Sequence, residues 1–169
     1  MKTFKIAALI MAAMICLGVC SNAGAQNKKQ NTTGTPYAVV ELTAEEFITL
    51  WESVWGPGPS LAQTQLAMQH TLFRVSIFDG DAIIAMARVI GDMGLDYYIK
   101  DVVVHPEYQR QGIGRLLIQE IMHFIQGHGI KGTDIFVELC AAPDKMPFYE
   151  KLGFDTNDAQ RMKMMYHVE

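Results

Sequence analysis

Asp101–Phe124, DVVVHPEYQRQGIGRLLIQEIMHF, holds a strand, a turn and a helix in that order. Val102, Val103 and Val104 form a β-branched run, the composition of a buried strand. His105 to Gly114 is polar and carries Pro106, Gly112 and Gly114, so it reads as a turn. Leu116, Leu117, Glu120, Ile121 and Phe124 then recur at helical spacing. The first turn of a helix has N–H groups without intrahelical partners and the positive end of the helix dipole, and both favour an anion. Gly112 and Gly114 have no Cβ to hold a phosphate off the backbone, and Arg110 and Arg115 add positive charge. The physical reading is a phosphate-binding loop between a central strand and a helix. Taken alone, the two glycines also fit a tight strand-to-helix turn with no ligand.

The pattern extends outward in both directions. Upstream, Tyr37–Leu42 is a short β-rich run. Thr43 with Glu46 is a capping box that opens a helix to about Val54, and Gly56-Pro57-Gly58-Pro59 stops it. Ser60 caps a second helix, Leu61 to His70. Leu72–Phe78 and Ala82–Ile90 are apolar runs joined by Asp79-Gly80-Asp81, a hairpin signal. Gly91-Asp92-Met93-Gly94 turns the chain into the strand Tyr97–Val104. Downstream, the central helix ends near Gly127-His128-Gly129. Ile135–Cys140 reads as a strand, Met146–Leu152 as a short helix and Arg161–Val168 as a final strand. The order is β-α-α-β-β-β-α-β-α-β, an α/β chain (α+β mixed sheet) with one central crossover helix.

The chain has 169 residues and a formal charge of −4. Its length suits one domain with a sizeable core. Duplex nucleic acid calls for a basic surface, so an acidic body excludes it as an expected partner. The first 25 residues differ in kind. Lys2 and Lys5 precede the apolar run Ile6–Val19, and Ala23-Gly24-Ala25 follows. This is the layout of a secretory signal peptide, with cleavage expected after Ala25. The run is shorter than the roughly 20 apolar residues a membrane-spanning helix needs, so no stable membrane insertion is expected after cleavage. A lipoprotein reading would lipidate Cys20, but Val19 is bulky where a small residue is wanted. Residues 26–36 are polar and aperiodic, a linker into a domain spanning 37–169. Cys16 and Cys20 leave with the signal, so the mature chain keeps Cys140 and no internal disulfide. The His residues are scattered without metal-ligand spacing, and no metal is expected.

Gln109-Arg110-Gln111-Gly112-Ile113-Gly114 resembles the Gln/Arg-x-x-Gly-x-Gly/Ala motif of the GCN5-related N-acetyltransferase (GNAT) family. Pro147-Phe148-Tyr149-Glu150-Lys151-Leu152-Gly153-Phe154 is similar to that family's late Phe-Tyr-x-x-x-Gly-Phe segment. The two motifs in this order implicate Tyr37–Glu169. The resemblance implies the acyl-CoA N-acyltransferase fold and acetyl-CoA as cosubstrate. It places the pyrophosphate on backbone N–H groups from Arg110 through Arg115. It also implies that Val102 and Val104 hold the pantetheine arm through their backbone, and that an N–H within Val102–Val104 faces the acetyl carbonyl. Tyr149 would be the general acid, a role open to a phenol that keeps its proton at neutral pH.

Two departures from the family pattern bear on mechanism. Tyr98 stands where some members place a Glu as general base, and Asp101, Glu138 and Asp96 are the nearest acidic substitutes, acting through a water. Ala141-Ala142-Pro143-Asp144 lacks an Asn that many relatives carry there. Structural readings stand beside the functional ones. Tyr149 also reads as a core aromatic, Glu138 as a solvent-facing strand residue and Asp101 as a partner of Lys100 or Arg88. His105 reads as a strand-end residue. Trp51 and Trp55 read as a helix face packed on the sheet, with Trp55 also beside a loop that can line an acceptor pocket. Met162, Met164 and Met165 read as core fillers.

The expected activity is transfer of an acetyl group from acetyl-CoA to a primary amine of a small molecule or peptide. The alternative is a non-catalytic acyl-CoA-binding module. A dinucleotide-binding oxidoreductase would need a third Gly where Leu117 stands. The N-terminus implies export to the periplasm or beyond. A cytoplasmic location follows instead if the signal does not function or the start lies elsewhere. A homodimer is compatible with this reading.

Overall fold

A computed structural model describes residues 37–158 and 161–167. The expected signal peptide over 1–25, its expected cleavage site and the expected linker 26–36 lie outside the described residues. Among the described residues seven strands form one sheet in the order β1-β2-β3-β4-β5-β7-β6. They are β1 (Ala38–Val40), β2 (Phe73–Asp79), β3 (Ala82–Gly91), β4 (Asp96–Val104), β5 (Asp134–Cys140), β6 (Asp155–Asp158) and β7 (Arg161–His167). The helices are α1 (Ala44–Trp55), α2 (Leu61–Gln69), α3 (Ile113–His128) and α4 (Met146–Glu150). The predicted order holds, with one short strand added: β6 pairs antiparallel with β7 at the sheet edge.

All neighbouring strands run antiparallel except β4 and β5, which are parallel. A parallel pair cannot be joined by a hairpin, and α3 supplies the crossover. Its buried stripe of Ile113, Leu117, Ile118, Ile121 and Ile125 packs in one cluster with Val75, Ile77, Ala85, Ala87, Val89, Tyr97, Ile99, Val137 and Leu139 of the sheet. Each such aliphatic side chain contributes about 1.5–3 kcal/mol by leaving water.

The opposite face of β3 and β4 is covered by α1 and α2. Phe47 and Leu50 of α1 and Met68 of α2 cluster with Met86 and Val103. Both helix starts are capped as their sequences require. Thr43 Oγ1 accepts from the Glu46 N–H at 3.2 Å, and Glu46 Oε2 accepts from the Thr43 N–H at 3.0 Å. Ser60 Oγ accepts from the Gln63 N–H at 3.3 Å.

One packing expectation is corrected. Trp51 joins the α1 cluster, but Trp55 does not reach the sheet; it is 51% exposed and meets Trp51 edge-on, with ring centroids 4.6 Å apart. It lies in the last turn of α1, beyond the helix face that the sheet covers. Met162 is fully buried and Met164 packs beside the core, as fillers do.

Candidate active site

β4 is longer than its partner on one side. Its pairing with β5 covers only Asp96–Ile99 against Phe136–Leu139, so Lys100–Val104 run on without a β5 neighbour. At the same place β4 carries a bulge. Met86 pairs with Val103 and Arg88 with Lys100, so Asp101 and Val102 both stand opposite Ala87. Asp101 takes a left-handed backbone, with φ of +53°. Beyond the bulge, the His105 N–H donates to the Ile84 carbonyl at 2.8 Å, toward β3. Backbone direction alternates along a strand, so the amide groups of Val104 and Val102 point the other way, into the gap beside β5. The Val104 carbonyl there accepts from Gln109 Nε2 at 3.1 Å.

The chain then makes one turn of 3₁₀ helix, Pro106–Tyr108, with His105 as its cap: Nδ1 accepts from the Glu107 N–H at 3.4 Å. His105 is thus the strand-end residue it was expected to be. The loop Gln109–Gly112 follows. Arg110 and Gly112 both have left-handed backbones, at φ of +61° and +88°. Gly112 is the N-cap of α3. Among the described residues no side chain caps the first turn, and that turn contains no acidic residue. Its N–H groups, joined to the positive end of a 16-residue helix, form a site for an anion that the fold does not itself fill. Gln111 turns back to donate to the Glu107 carbonyl at 2.8 Å, while Arg110 and Arg115 stay exposed beside the loop.

The two glycines do different jobs. A Cβ at Gly112 would meet nothing within 4 Å, so its requirement is conformational. A Cβ at Gly114 would lie 3.2 Å from Phe148 Cζ. The second glycine therefore lets α4 close onto α3; it faces Phe148, not a ligand. Ile113 is buried in the core and anchors the helix start.

Through that contact α4 brings Tyr149 to the same end of the sheet. Tyr149 is buried, edge-on to Phe148 and Phe154 with centroids 4.9 and 5.9 Å away. It packs in the cluster that contains Leu139, Ala141, Ile113 and Leu117. Burial alone pushes its phenol up to about 12, so it holds its proton throughout the physiological range.

The expected site residues fall into two groups. Val102, Val103, Val104, the loop Gln109–Arg115 and Tyr149 share one end of the sheet. Within that group Val103 turns its side chain to the α1 side, into the core. The carboxylates lie on the α1 side as well. Asp101 pairs with Arg88, both side chains being mostly sheltered at 12% and 16% exposure. Of the two partners sequence offered it, Arg88 is the one used. Glu138 stands in register between Tyr98 of β4 and Lys163 of β7, on the face away from α3. Arg88 is the residue that sequence reasoning left out of the site. Its signal, a lone cation in an apolar strand (AIIAMARVIG), was present. Among the described residues no group of three or more His, Cys, Asp or Glu is placed to hold a metal ion. Nor is any described helix long and apolar enough to cross a membrane.

Residues 38–154 match the acetyltransferase (GNAT) family. An uncharacterised N-acetyltransferase, ycf52, of Porphyra purpurea is 28% identical over 125 residues, 72% of this chain and 69% of that protein. The chloroplastic GCN5-related N-acetyltransferase 1 of Arabidopsis thaliana is 29% identical over 129 residues, 75% of this chain and 63% of its own length. Among solved structures, a probable acetyltransferase of unknown function from Staphylococcus aureus superposes with a TM-score of 0.64 at 28% identity, covering 72% of this chain and 92% of that one. The strand gap, the uncapped helix start and the family match agree: this chain belongs to the GNAT family of acetyltransferases.

Proposed function

We propose that the protein transfers the acetyl group of acetyl-CoA to a primary amine of a small molecule or peptide by direct attack. The observation that carries this reading is the unpaired edge of β4, Lys100–Val104, running straight into the uncapped start of α3. An extended pantetheine arm can pair with a free strand edge as a strand would. The diphosphate then lies against the loop amides, with Arg110 and Arg115 beside it.

In this reading the amine nitrogen attacks the thioester carbonyl and the oxyanion is met by a β4 amide in the gap. The C–S bond then breaks to give the amide and CoA thiolate. Tyr149, protonated, donates to the departing sulfur, and the proton on nitrogen leaves by water or through a carboxylate of the α1 side, such as Glu138.

Purified protein given acetyl-CoA and a panel of amines is expected to release free CoA thiol. Tyr149→Phe should lower kcat about tenfold to a hundredfold while CoA affinity stays within about twofold. Unchanged kcat would remove Tyr149 from the mechanism. Tight CoA binding with no turnover on any amine would instead favour the acyl-CoA-binding module, a reading that Tyr98 in place of a strand carboxylate keeps in view. Export is part of the same proposal, and N-terminal sequencing of native protein should find Gln26 as its first residue.

A further inference from the structure

We propose that Arg88 is a positioning residue that locks the β4 bulge, and that Asp101 serves the reaction through its backbone conformation and not as the base. The inference rests on the acetyl-transfer reading above.

Asp101 is a non-glycine residue in the left-handed region, a conformation an L side chain resists unless its surroundings hold it there. It sits two residues past Ile99, where pairing with β5 stops. The left-handed residue is therefore the place where β4 leaves β5 and opens the gap. What holds it is Arg88. Nε of Arg88 donates to Asp101 Oδ2, Nη1 donates to Thr71 Oγ1 at 3.3 Å, and the guanidinium carbon lies 5.9 Å from the centroid of the Phe47 ring. One side chain thus ties β3, the bulge, α1 and the segment after α2 together. Its planar fork suits several partners at once, which a lysine cannot match. A sheltered pair of this kind is costly to break from one side, because the remaining charge stays partly desolvated. Without the pair, Asp101 is free to return to negative φ. That rotation would turn the Asp101–Val102 peptide, let β4 continue along β5 and misdirect the amides at Val102 and Val104.

A base and a conformational lock make opposite demands on residue 101. Asparagine tolerates the left-handed region and still accepts from Arg88, yet it cannot take a proton. The lock predicts that Asp101→Asn keeps kcat within about fivefold of the parent, with an unchanged shape of the pH–rate profile. It also predicts that Asp101→Val and Arg88→Met lose at least about tenfold in kcat while the KM for acetyl-CoA moves less than about threefold. A loss by Asn as large as that by Val, with the acidic limb of the profile gone, would overturn the proposal in favour of a base.

Amide hydrogen exchange gives a readout that needs no turnover. Arg88→Met should speed exchange at Val103, which pairs with Met86 beyond the bulge, at least about tenfold, while exchange in the β5–β7 ladder stays at the parent's rate. Equal protection at Val103 in Arg88→Met and the parent would also overturn it, even if Asp101→Val fails to fold. Absence of turnover in the parent protein would count against the acetyl-transfer reading, and the exchange result would still decide the lock.

Discussion

β4 is bracketed by two turns made of the same materials, and they use their amide groups differently. The turn before it, Gly91–Leu95, contains left-handed Met93 at φ of +67°. Its N–H groups converge on one oxygen: Asp92 Oδ1 accepts from Gly94, Leu95 and Asp96 at 2.9, 2.8 and 3.1 Å. The loop after β4 contains left-handed Arg110 and Gly112 and opens a helix whose first turn no side chain caps. The first turn encloses its own anion and becomes a rigid corner. The second has equivalent donors and, among the described residues, no carboxylate on them, which is what suits it to the diphosphate proposed above. Converging amides do not make a binding site by themselves; the absence of an internal acceptor does.

Breaking each turn should therefore damage different properties. The largest effect is expected at Gly91, where an added Cβ would lie 2.1 Å from the Asp96 carbonyl oxygen and 3.2 Å from Tyr97 Cα. Both are backbone atoms, so the hairpin itself must open. Gly91→Ala should cost about 3 kcal/mol or more, a fall in Tm on the order of 10 °C by calorimetry. An unchanged Tm would mean that the corner is not rigid. Next is Gly112→Ala. No atom obstructs the methyl group, and the cost is the left-handed backbone, about 1–2 kcal/mol. The unliganded loop can relax that strain, so it should surface as roughly tenfold weaker CoA binding with little change in Tm. Wild-type affinity would erase the contrast between the turns. Gly114→Ala should have a smaller effect, about 1 kcal/mol of stability, because the group it presses is the Phe148 ring on a one-turn helix, which can shift.

Much of this was legible from sequence, because the signals are local. Capping residues Thr43 and Ser60 start α1 and α2, apolar periodicity sets the buried face of α3, and glycines mark the loop. β6 was not legible: Asp155-Thr156-Asn157-Asp158 has turn composition and becomes a strand only because β7 offers it an edge. The bulge was hidden for a similar reason. Nothing around Asp101 requires a left-handed backbone; the residue that holds it is Arg88, on the neighbouring strand. The loop conformation at Gly112 and the helix start after it could be read from their motif. Which carboxylate lies where could not, since that depends on where β4 and β5 part.

The smallest expected effect sharpens the comparison most, because it acts on the charge alone. The N–H bonds from Asp96, Gly94 and Leu95 favour the ionised form of Asp92 and hold its carboxyl down at about 2. A depressed carboxyl stabilises the fold above its unfolded value, near 4, and that contribution fades as the pH falls toward 2. Asp92→Asn keeps an oxygen for the three donors and removes the charge. The variant should melt slightly below the parent at pH 6, and the gap should have largely closed by about pH 2, where half of the parent has taken up the proton. The site is fully exposed, so raising the salt concentration should narrow the gap at pH 6. CoA affinity should not change, since the anion that matters to the other turn is the ligand's. A variant that melts with the parent at every pH would mean that Asp92 adds geometry to the corner but no electrostatic stability. A loss of CoA affinity in the same variant would show that the two ends of β4 are not independent.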